Sequence, residues 1–488
     1  MIRPFAIRTL QWLFVAAALV AVLGLASAVG CGGGDDDDDD DNDAASGDDD
    51  DDNDAGDDDT VEPYTGPTYY QDVKPIMDSR CVSCHTDGGI GPMALDDYEG
   101  AERYSLDVAN EVRDRAMPPW NADSGYTKYQ NNPALTPQQI DTIYQWAHAG
   151  APEGDPDNPG EPIPVVGLEL DHVDLTLKLP VDYVPEIKGN ETDEYRCFLI
   201  DWPYDTVKYV TGFDATPENR NIVHHLAVYL LDSSLPDSTF EEVETWPTID
   251  ERPGYSCFGG PSATYEGKDA LQVPVQQLAQ WVPGNGARVF PQGSGIKVNP
   301  GSKIVLQMHY YVEEQYRDES DKTGIDFMLA DDVEKLGAYA PFLNVLWPTK
   351  PEKMLIPAGA TDVRHSTKQD PRWYLGPFVG GAIDLDDGFT IHSGMLHLHL
   401  LGRGGTLKLM HEDGTEEYIV EVGHWDFNWQ REYVLQDSLE FKDGDKLFLE
   451  CRYDNDKPGA KDVTWGERSV EEMCVGNMFI TAPKKVED

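Results

Sequence analysis

The sequence predicts a multidomain chain in which a small all-α domain is followed by two all-β domains, each an antiparallel, jelly-roll-like sandwich. The 488 residues are enough for two to four domains. Between residues 63 and 158 apolar side chains recur at helical spacing, whereas beyond the Pro-rich residues 151–166 strand-like alternation and turn clusters dominate. Roughly 320 residues of the second kind fit two sandwiches of about 150 residues each.

The chain is strongly acidic, with 90 Asp and Glu against 37 Lys and Arg and a formal net charge of −53. A generic nucleic-acid-binding protein needs a basic surface that displaces counterions from phosphate. Electrostatic docking on an anionic lipid surface needs basic clusters as well. The composition therefore excludes both classes, and no nucleic acid is expected among the partners.

Residues 1–30 have the features of a signal peptide. Arg3 and Arg8 precede an apolar run from Leu10 to Ala28, and small residues follow. The run is also about long enough for a single transmembrane anchor. The end of this segment, Ala28-Val29-Gly30-Cys31, resembles a bacterial lipobox. That resemblance implies lipidation of Cys31 and an exported protein, attached to the membrane by lipid alone and facing the periplasm or the surface of the outer membrane.

Residues 31–62 alternate runs of Asp with Gly, Ala, Ser and Asn. Like charges at this density repel one another, and no apolar side chains are present to collapse the segment. We therefore expect a disordered tether between the membrane and the folded domains.

Residues 63–158 contain a motif for covalent haem attachment. In Cys81-Val82-Ser83-Cys84-His85, a C-x-x-C-H motif, the two thiols would bond to the porphyrin and His85 would supply an axial nitrogen. A redox dithiol or half of a zinc site can share the shorter C-x-x-C pattern. Helical patterns flank the motif, and the last one opens with Thr136 as N-cap and Pro137 at the first position.

This order of helices, with Met117-Pro118 before the last one, resembles the small monohaem cytochromes c. The resemblance implies one covalently bound haem c with Met117 as the sixth ligand, and Met93 is the rival for that position. His/Met ligation would raise the reduction potential of the haem into an electron-carrying range. With both axial positions filled, the haem would move electrons and would not bind substrate.

Three histidine clusters stand out in the β-rich part. His224 and His225 are adjacent, His309 lies late in the same half, and His397 and His399 are two residues apart. On a strand, a spacing of two puts both imidazoles on one face, which suits a single metal ion. Adjacent residues point to opposite faces unless the strand twists or bulges. Each cluster taken alone also has an ordinary interpretation as core or surface histidine.

The order of the motifs is more informative than any one of them. An H-H pair, then Gln307-Met308-His309-Tyr310, then H-x-H, then Glu471-Glu472-Met473-Cys474 resembles the copper type II, ascorbate-dependent monooxygenases. These include the peptidylglycine α-hydroxylating and dopamine β-monooxygenases. The resemblance implies an N-terminal sandwich at residues 163–330, a C-terminal sandwich at residues 335–485, and hydroxylation of a C–H bond of a small organic substrate by O2.

The same resemblance implies two copper ions, two ligand sets and two disulfides. The copper that supplies electrons would be held by His224, His225 and His309. The copper where O2 and substrate meet would be held by the catalytic residues His397, His399 and Met473, whose thioether favours Cu(I). The disulfides would be Cys197–Cys257 and Cys451–Cys474, in keeping with an exported protein.

Two departures from the family bear on substrate and reductant. The peptide-hydroxylating enzyme holds its substrate carboxylate with an Arg and a Tyr where this chain has Met395 and Asn477, which argues against a glycine-extended peptide. The fused haem, present at high effective concentration, is expected to deliver the two electrons needed per turnover. A periplasmic redox protein or a small reductant such as ascorbate would supply them. The alternative is a non-catalytic electron-transfer or copper-binding protein.

Overall fold

The computed structural model describes residues 64–484, apart from residues 88, 90, 124, 165–168, 188–191, 250, 258–259, 264–274, 283–285, 377, 380–382, 428 and 467–469. The predicted signal peptide, Cys31 and the Asp-rich tether lie outside the described residues. Among the described helices, none is long and apolar enough to cross a bilayer.

The described chain begins with a small helical region. A π-helical turn at Tyr69–Val73 leads into the first of four helices, and the fourth begins with a capping box between Thr136 and Gln139. Their apolar faces share one core that includes the fully buried Trp146. The helices are α1 (Lys74–Arg80), α2 (Tyr98–Arg103), α3 (Ser105–Arg113) and α4 (Pro137–His148).

The rest of the described chain is mostly β. The strands are β1 (Leu175–Lys178), β2 (Asp193–Asp201), β3 (Lys208–Thr216), β4 (Val223–Leu231), β5 (Tyr255–Ser256), β6 (Gln276–Trp281), β7 (Arg288–Val289), β8 (Ser294–Val298), β9 (Lys303–Tyr311), β10 (Gly324–Ala330), β11 (Lys335–Phe342), β12 (Val363–Gln369), β13 (Phe389–His397), β14 (Gly402–Met410), β15 (Glu416–Val422), β16 (Tyr433–Phe441), β17 (Lys446–Tyr453) and β18 (Val475–Pro483). Three short helices connect them, namely α5 (Asp237–Val243), α6 (Leu346–Thr349) and α7 (Arg372–Leu375).

The strands form three sheets. A nine-stranded sheet has the order β1-β10-β3-β8-β11-β18-β13-β16, with β7 beside β3. A five-stranded sheet has the order β5-β2-β9-β4-β6, and a four-stranded sheet has the order β12-β17-β14-β15. The named strand pairs are antiparallel except for a short parallel contact of β8 with β11, where Ser294 faces Lys335. The sequence predicts a domain boundary near residues 330–335, and β8 and β11 lie on opposite sides of it. Because these two strands pair, the two β halves share the nine-stranded sheet.

Each half has its own core between two sheets. In the first half, the core lies between the five-stranded sheet and strands β1, β3, β8 and β10. In the second half, it lies between the four-stranded sheet and strands β11, β13, β16 and β18. A mostly β fold of several antiparallel sheets behind a small helical region confirms the coarse prediction of fold class.

Residues Lys303–Tyr311 form β9, and both faces of that strand are buried. Leu306 contributes to the core between the sheets, and its neighbour Val305 contributes to a second cluster around Trp246. The connection between β4 and β6 covers the outer face, a long-range contact that local periodicity does not report.

Two disulfides connect the strands. Cys197 on β2 bonds to Cys257 after β5, and Cys451 on β17 bonds to Cys474 at the start of β18. These are the pairings that the family resemblance implies.

Candidate metal centres

The first candidate centre lies on two neighbouring strands of the five-stranded sheet. His224 and His225 are on β4, and His309 is on β9 directly opposite His225. The register of the two strands shifts by one between Val223 and His225, which is a β-bulge at His224. The bulge turns His224 to the side of the sheet that His225 already faces. The bulge that two adjacent histidines need in order to face the same side of a strand is therefore present.

The Nδ1 atoms of the three rings converge. The Nδ1 of His224 is 3.1 Å from that of His225 and 3.2 Å from that of His309, and the remaining Nδ1–Nδ1 distance is 3.1 Å. Burial lowers the pKa of His224, and it lowers the pKa of His225 and His309 well below the ordinary histidine value. Neutral imidazoles are the form that binds a metal. Three like nitrogens facing one point therefore fit a metal ion.

The ring of His309 is held by two groups that sequence patterns did not single out. Its Nε2 lies 2.7 Å from Oδ1 of Asp193, and Tyr195 stacks on its face at 4.1 Å between ring centroids. A proton on Nε2 donates to the carboxylate and leaves the Nδ1 lone pair for the metal. Asp193 and Tyr195 lie on β2, and only the pairing of β2 with β9 brings them to His309.

The second candidate centre lies where β13 ends. The Nε2 atoms of His397 and His399 are 3.2 Å apart. The Nδ1 of His397 is 2.5 Å from Oε1 of Gln430, and the Nδ1 of His399 is 3.1 Å from the backbone oxygen of Glu471. Since these oxygens can only accept, both Nδ1 atoms donate and both Nε2 lone pairs face each other. Burial, reinforced by His399, lowers the pKa of His397 to about 3. Two converging lone pairs fit a cation between them.

Met473 lies beside this histidine pair. The carboxylate of its neighbour Glu472 accepts hydrogen bonds from the backbone N–H of His399 at 2.9 Å and of Leu401 at 2.6 Å. The hydroxyl of Tyr453 donates to the backbone oxygen of Met473 at 2.7 Å. Burial raises the pKa of Glu472 to about 8. Glu472 thus positions the segment that carries the thioether, a role that the sequence pattern did not reveal.

A shallow pocket next to the second centre, continuous with solvent, spans about 370 Å³. Its lining comes from β6 in the first half and from strands of the second half. It is formed by Gln277, Gln280, Tyr339, Ser393, Met395, Gln430, Glu432, Asn477 and Phe479. Both positions at which the sequence departs from the peptide-hydroxylating enzyme, Met395 and Asn477, therefore face this pocket, and Gln430 connects it to His397.

The C-x-x-C-H motif lies just after α1. Cys81 and Cys84 are free thiols, in contrast to the four disulfide-bonded cysteines. The Nδ1 of His85 is 3.1 Å from the backbone oxygen of Met93, so Nδ1 donates and the Nε2 lone pair is left for another group. Met117 is half-buried in the turn beyond α3.

Comparison with known proteins points to a family. Residues 381–483 match the model of the C-terminal domain of copper type II ascorbate-dependent monooxygenases. This stretch contains the H-x-H pair and Met473. Residues 381–483 thus resemble the C-terminal domain of the copper type II, ascorbate-dependent monooxygenase family. The family is a class of oxidoreductases that use O2 and a reductant of the ascorbate type.

Relatives among well-described proteins belong to the same family. MOXD1 homolog 1 of Drosophila melanogaster is 25% identical over 301 residues, which are 60% of this chain and 40% of that protein. DBH-like monooxygenase protein 1 of Mus musculus is 22% identical over 410 residues, which are 78% of this chain and 60% of that protein. Dopamine beta-hydroxylase of Canis lupus familiaris is 22% identical over 295 residues, covering 58% and 42%. The matches thus span less than two thirds of the length of each relative. Disulfides and family together indicate an extracytoplasmic protein.

Proposed function

We propose that this chain is a copper-dependent monooxygenase that hydroxylates a C–H bond of a small organic substrate with O2. The reaction is R–H + O2 + 2 e⁻ + 2 H⁺ giving R–OH + H2O. The observation that carries the proposal is the convergence of three neutral imidazoles at Nδ1–Nδ1 distances of 3.1–3.2 Å in a chain that resembles this family. The facing Nε2 atoms of His397 and His399 support a second centre.

The two ligand sets have different chemistry. His224, His225 and His309 would hold one copper ion with three nitrogens, whereas His397, His399 and Met473 would hold the other with two nitrogens and a soft thioether. Copper at such sites supplies one electron from each centre and activates O2. The chain's own residues fix the rings: Asp193 accepts from His309, Gln430 accepts from His397, and the buried Nδ1–H of His399 donates to a backbone oxygen.

The pocket next to His397 suggests the class of substrate. Oδ1 of Asn477 is buried and has no hydrogen-bond partner among the described residues, while its Nδ2 donates to Gln277 at 3.1 Å. An acceptor left open in this way favours a ligand with an N–H or O–H donor. Glu432, which lines the pocket, is paired with Arg288 at 3.1 Å, so this cation already has a carboxylate partner. We therefore infer an amine- or hydroxyl-bearing substrate and not a carboxylate.

A covalently bound haem c at Cys81, Cys84 and His85 is the second part of the proposal. Two free thiols three residues apart suit thioether bonds, and the orientation of His85 leaves its Nε2 for iron. Met117 would be the sixth ligand and Met93 remains the rival. The haem would deliver electrons to copper. A periplasmic redox protein or a small reductant such as ascorbate would reduce the haem, and lipidation of Cys31 would hold the protein at the outer membrane.

Metal analysis of full-length protein matured with haem and loaded with copper tests this proposal first. We expect two copper ions and one haem iron per chain, and the loss of one copper in His225→Ala and of the other in His397→Ala. Consumption of O2 coupled to product formation then separates an enzyme from the alternative, a non-catalytic electron-transfer or copper-binding protein. We expect turnover with a primary aromatic amine and none with a glycine-extended peptide. Copper loading without turnover of any donor-bearing probe would favour the alternative.

A further inference from the structure

Residues 119–130 connect the helical region to the second β half. Beyond the C-x-x-C-H motif, this segment leaves the helices and forms β-bridges between Ala122 and Val422 and between Tyr129 and Leu435. Val422 is on β15, at the edge of the four-stranded sheet, and Leu435 is on β16, at the edge of the nine-stranded sheet. We call this segment the strap because it is hydrogen-bonded to the edges of both sheets.

Three aromatic side chains anchor the strap. Trp120 packs edge-on against Tyr433 at 4.9 Å between ring centroids, and Tyr126 stacks on Tyr418 at 4.4 Å. Tyr129 is buried, and its hydroxyl donates to a backbone oxygen of β15 at 3.2 Å. The buried Tyr129 and the half-buried Trp120 thus attach the strap to the second β half, while Tyr126 adds a contact at the surface.

Arg431 contacts the strap and is the chain neighbour of Gln430, which lies beside the second candidate centre. Its Nη1 donates to the backbone oxygen of Pro119 at 3.4 Å, and its guanidinium lies 5.7 Å from the ring centroid of Trp120. Burial lowers the pKa of Arg431, while nearby Tyr433 and Cys84 raise it, so the motif's second cysteine is close to this guanidinium.

The residue before Arg431 contacts the histidine pair directly. Gln430 accepts from Nδ1 of His397 at 2.5 Å. Pro119 of the strap is thus connected through Arg431 and its neighbour Gln430 to His397, a candidate ligand of the second centre. These hydrogen bonds and ring contacts of the strap are made with residues 418–436. None of these contacts is with β4 or β9, the strands that carry the three-histidine centre.

We propose that the strap docks the C-x-x-C-H segment against the His397/His399 centre, with Arg431 and Gln430 between them, so that electrons carried at the motif enter at this centre. This inference rests on the proposed function. In the step, one electron leaves ferrous haem iron, which becomes ferric, and reduces one Cu(II) to Cu(I), with no bond or proton transferred. The external one-electron donor then restores the ferrous haem.

Docking is tested on the full chain without haem or copper. Trp120→Ala removes an anchor of the strap, and Trp373→Ala, which truncates a half-exposed Trp elsewhere, is the matched control. We expect hydrogen–deuterium exchange of the backbone amides of Gln130 and Gln436, which bond across the strap, to rise in Trp120→Ala alone. Unchanged exchange in Trp120→Ala would show that the strap does not hold the two parts together, which would overturn the proposal.

Electron entry is tested on haem- and copper-loaded protein mixed anaerobically with limiting dithionite. Haem absorbance and the Cu(II) electron paramagnetic resonance of freeze-quenched samples report the transfer. We expect haem to be reduced and then reoxidised in wild type and in His225→Ala, and reoxidation to be lost in His397→Ala. Loss in His225→Ala with retention in His397→Ala would place entry at the other centre and overturn the inference while leaving the proposed function intact. Wild-type protein that binds no haem or copper would instead overturn the proposed function, and the inference with it.

Discussion

At the scale of single residues, the partners of the histidines decide which nitrogen each ring offers. In the first centre, His309 presents its Nδ1 atom because Asp193 accepts from its Nε2. The second presents Nε2 atoms because Gln430 and the backbone of Glu471 accept from Nδ1. Spacing identifies which histidines cluster, but the choice of nitrogen depends on acceptors that come from other strands.

The carboxylate of Asp193 yields a direct prediction. In Asp193→Asn, His309 loses a charged acceptor for its Nε2–H, and its ring orientation is less firmly fixed. We expect copper affinity at the first centre to fall about 10- to 100-fold, with the second centre unchanged. Competition with a Cu(I) chelator measures both. Asp201→Asn, at the exposed end of the same strand, is the control. Equal affinities in Asp193→Asn and wild type would show that this hydrogen bond does not support the site.

At the scale of elements, one local feature of the strands was anticipated and another was not. The bulge in β4 is the geometry that adjacent histidine ligands require. The burial of both faces of β9 was not anticipated. An adjacent pair of histidine ligands indicates that the strand must bulge there. The segment that covers the outer face of β9 comes from a distant part of the sequence, so local periodicity does not report it.

The β14–β15 hairpin carries a pH-dependent contact. His411 lies 2.7 Å from Glu417 and 3.1 Å from Asp445, and these carboxylates raise its pKa above the ordinary 6.5. Its stabilising effect is therefore complete below about pH 6.5 and is lost as the pH rises through the folded-state pKa. We expect His411→Gln to lower the free energy of unfolding by about 0.5–1 kcal/mol at acidic pH and to have little effect at alkaline pH.

Denaturant unfolding at several pH values measures this difference. His424→Gln, in an exposed turn, is the control for replacing a surface histidine. A loss of stability in His411→Gln that is the same at every pH would contradict an origin in the ionised pair.

At the scale of the whole molecule, the two β halves are joined by more than a linker. They share the nine-stranded sheet through β8 and β11. Arg288 on β7 forms a half-buried ion pair at 3.1 Å with Glu432 of the second half, whose carboxylate also accepts from Ser393 and Tyr339. The pocket lies in the same region, so the ion pair helps to keep its two walls together.

Breaking one side of this pair should be costly. Arg288→Met leaves a half-buried carboxylate without its cation, and we expect the free energy of unfolding to fall by about 1–3 kcal/mol. The double variant Arg288→Met/Glu432→Leu should regain much of that loss because no half-buried charge remains unpaired. Lys208→Met, which breaks a pair with the exposed Asp331, should change the free energy of unfolding much less, because solvent screens that pair.

Equilibrium denaturation of the three variants checks this ranking. A double variant less stable than Arg288→Met would mean that the ion pair itself, and not the unpaired charge, dominates the contact between the halves.

The class of fold could be predicted from the sequence, as could the clusters of candidate ligands and the C-x-x-C-H motif. The order of the motifs also showed a family resemblance, and that resemblance implied the two disulfide pairings. These features are local, since they depend on the period of apolar residues and on which chemical groups stand at short spacings. The fold was needed to show that Asp193, Gln430 and Glu472 position the candidate ligands. It was also needed to show that β8 and β11 join the two halves and that the strap contacts β15 and β16. Those contacts join residues far apart in the chain, and strand register and packing between sheets choose them, so no local pattern encodes them.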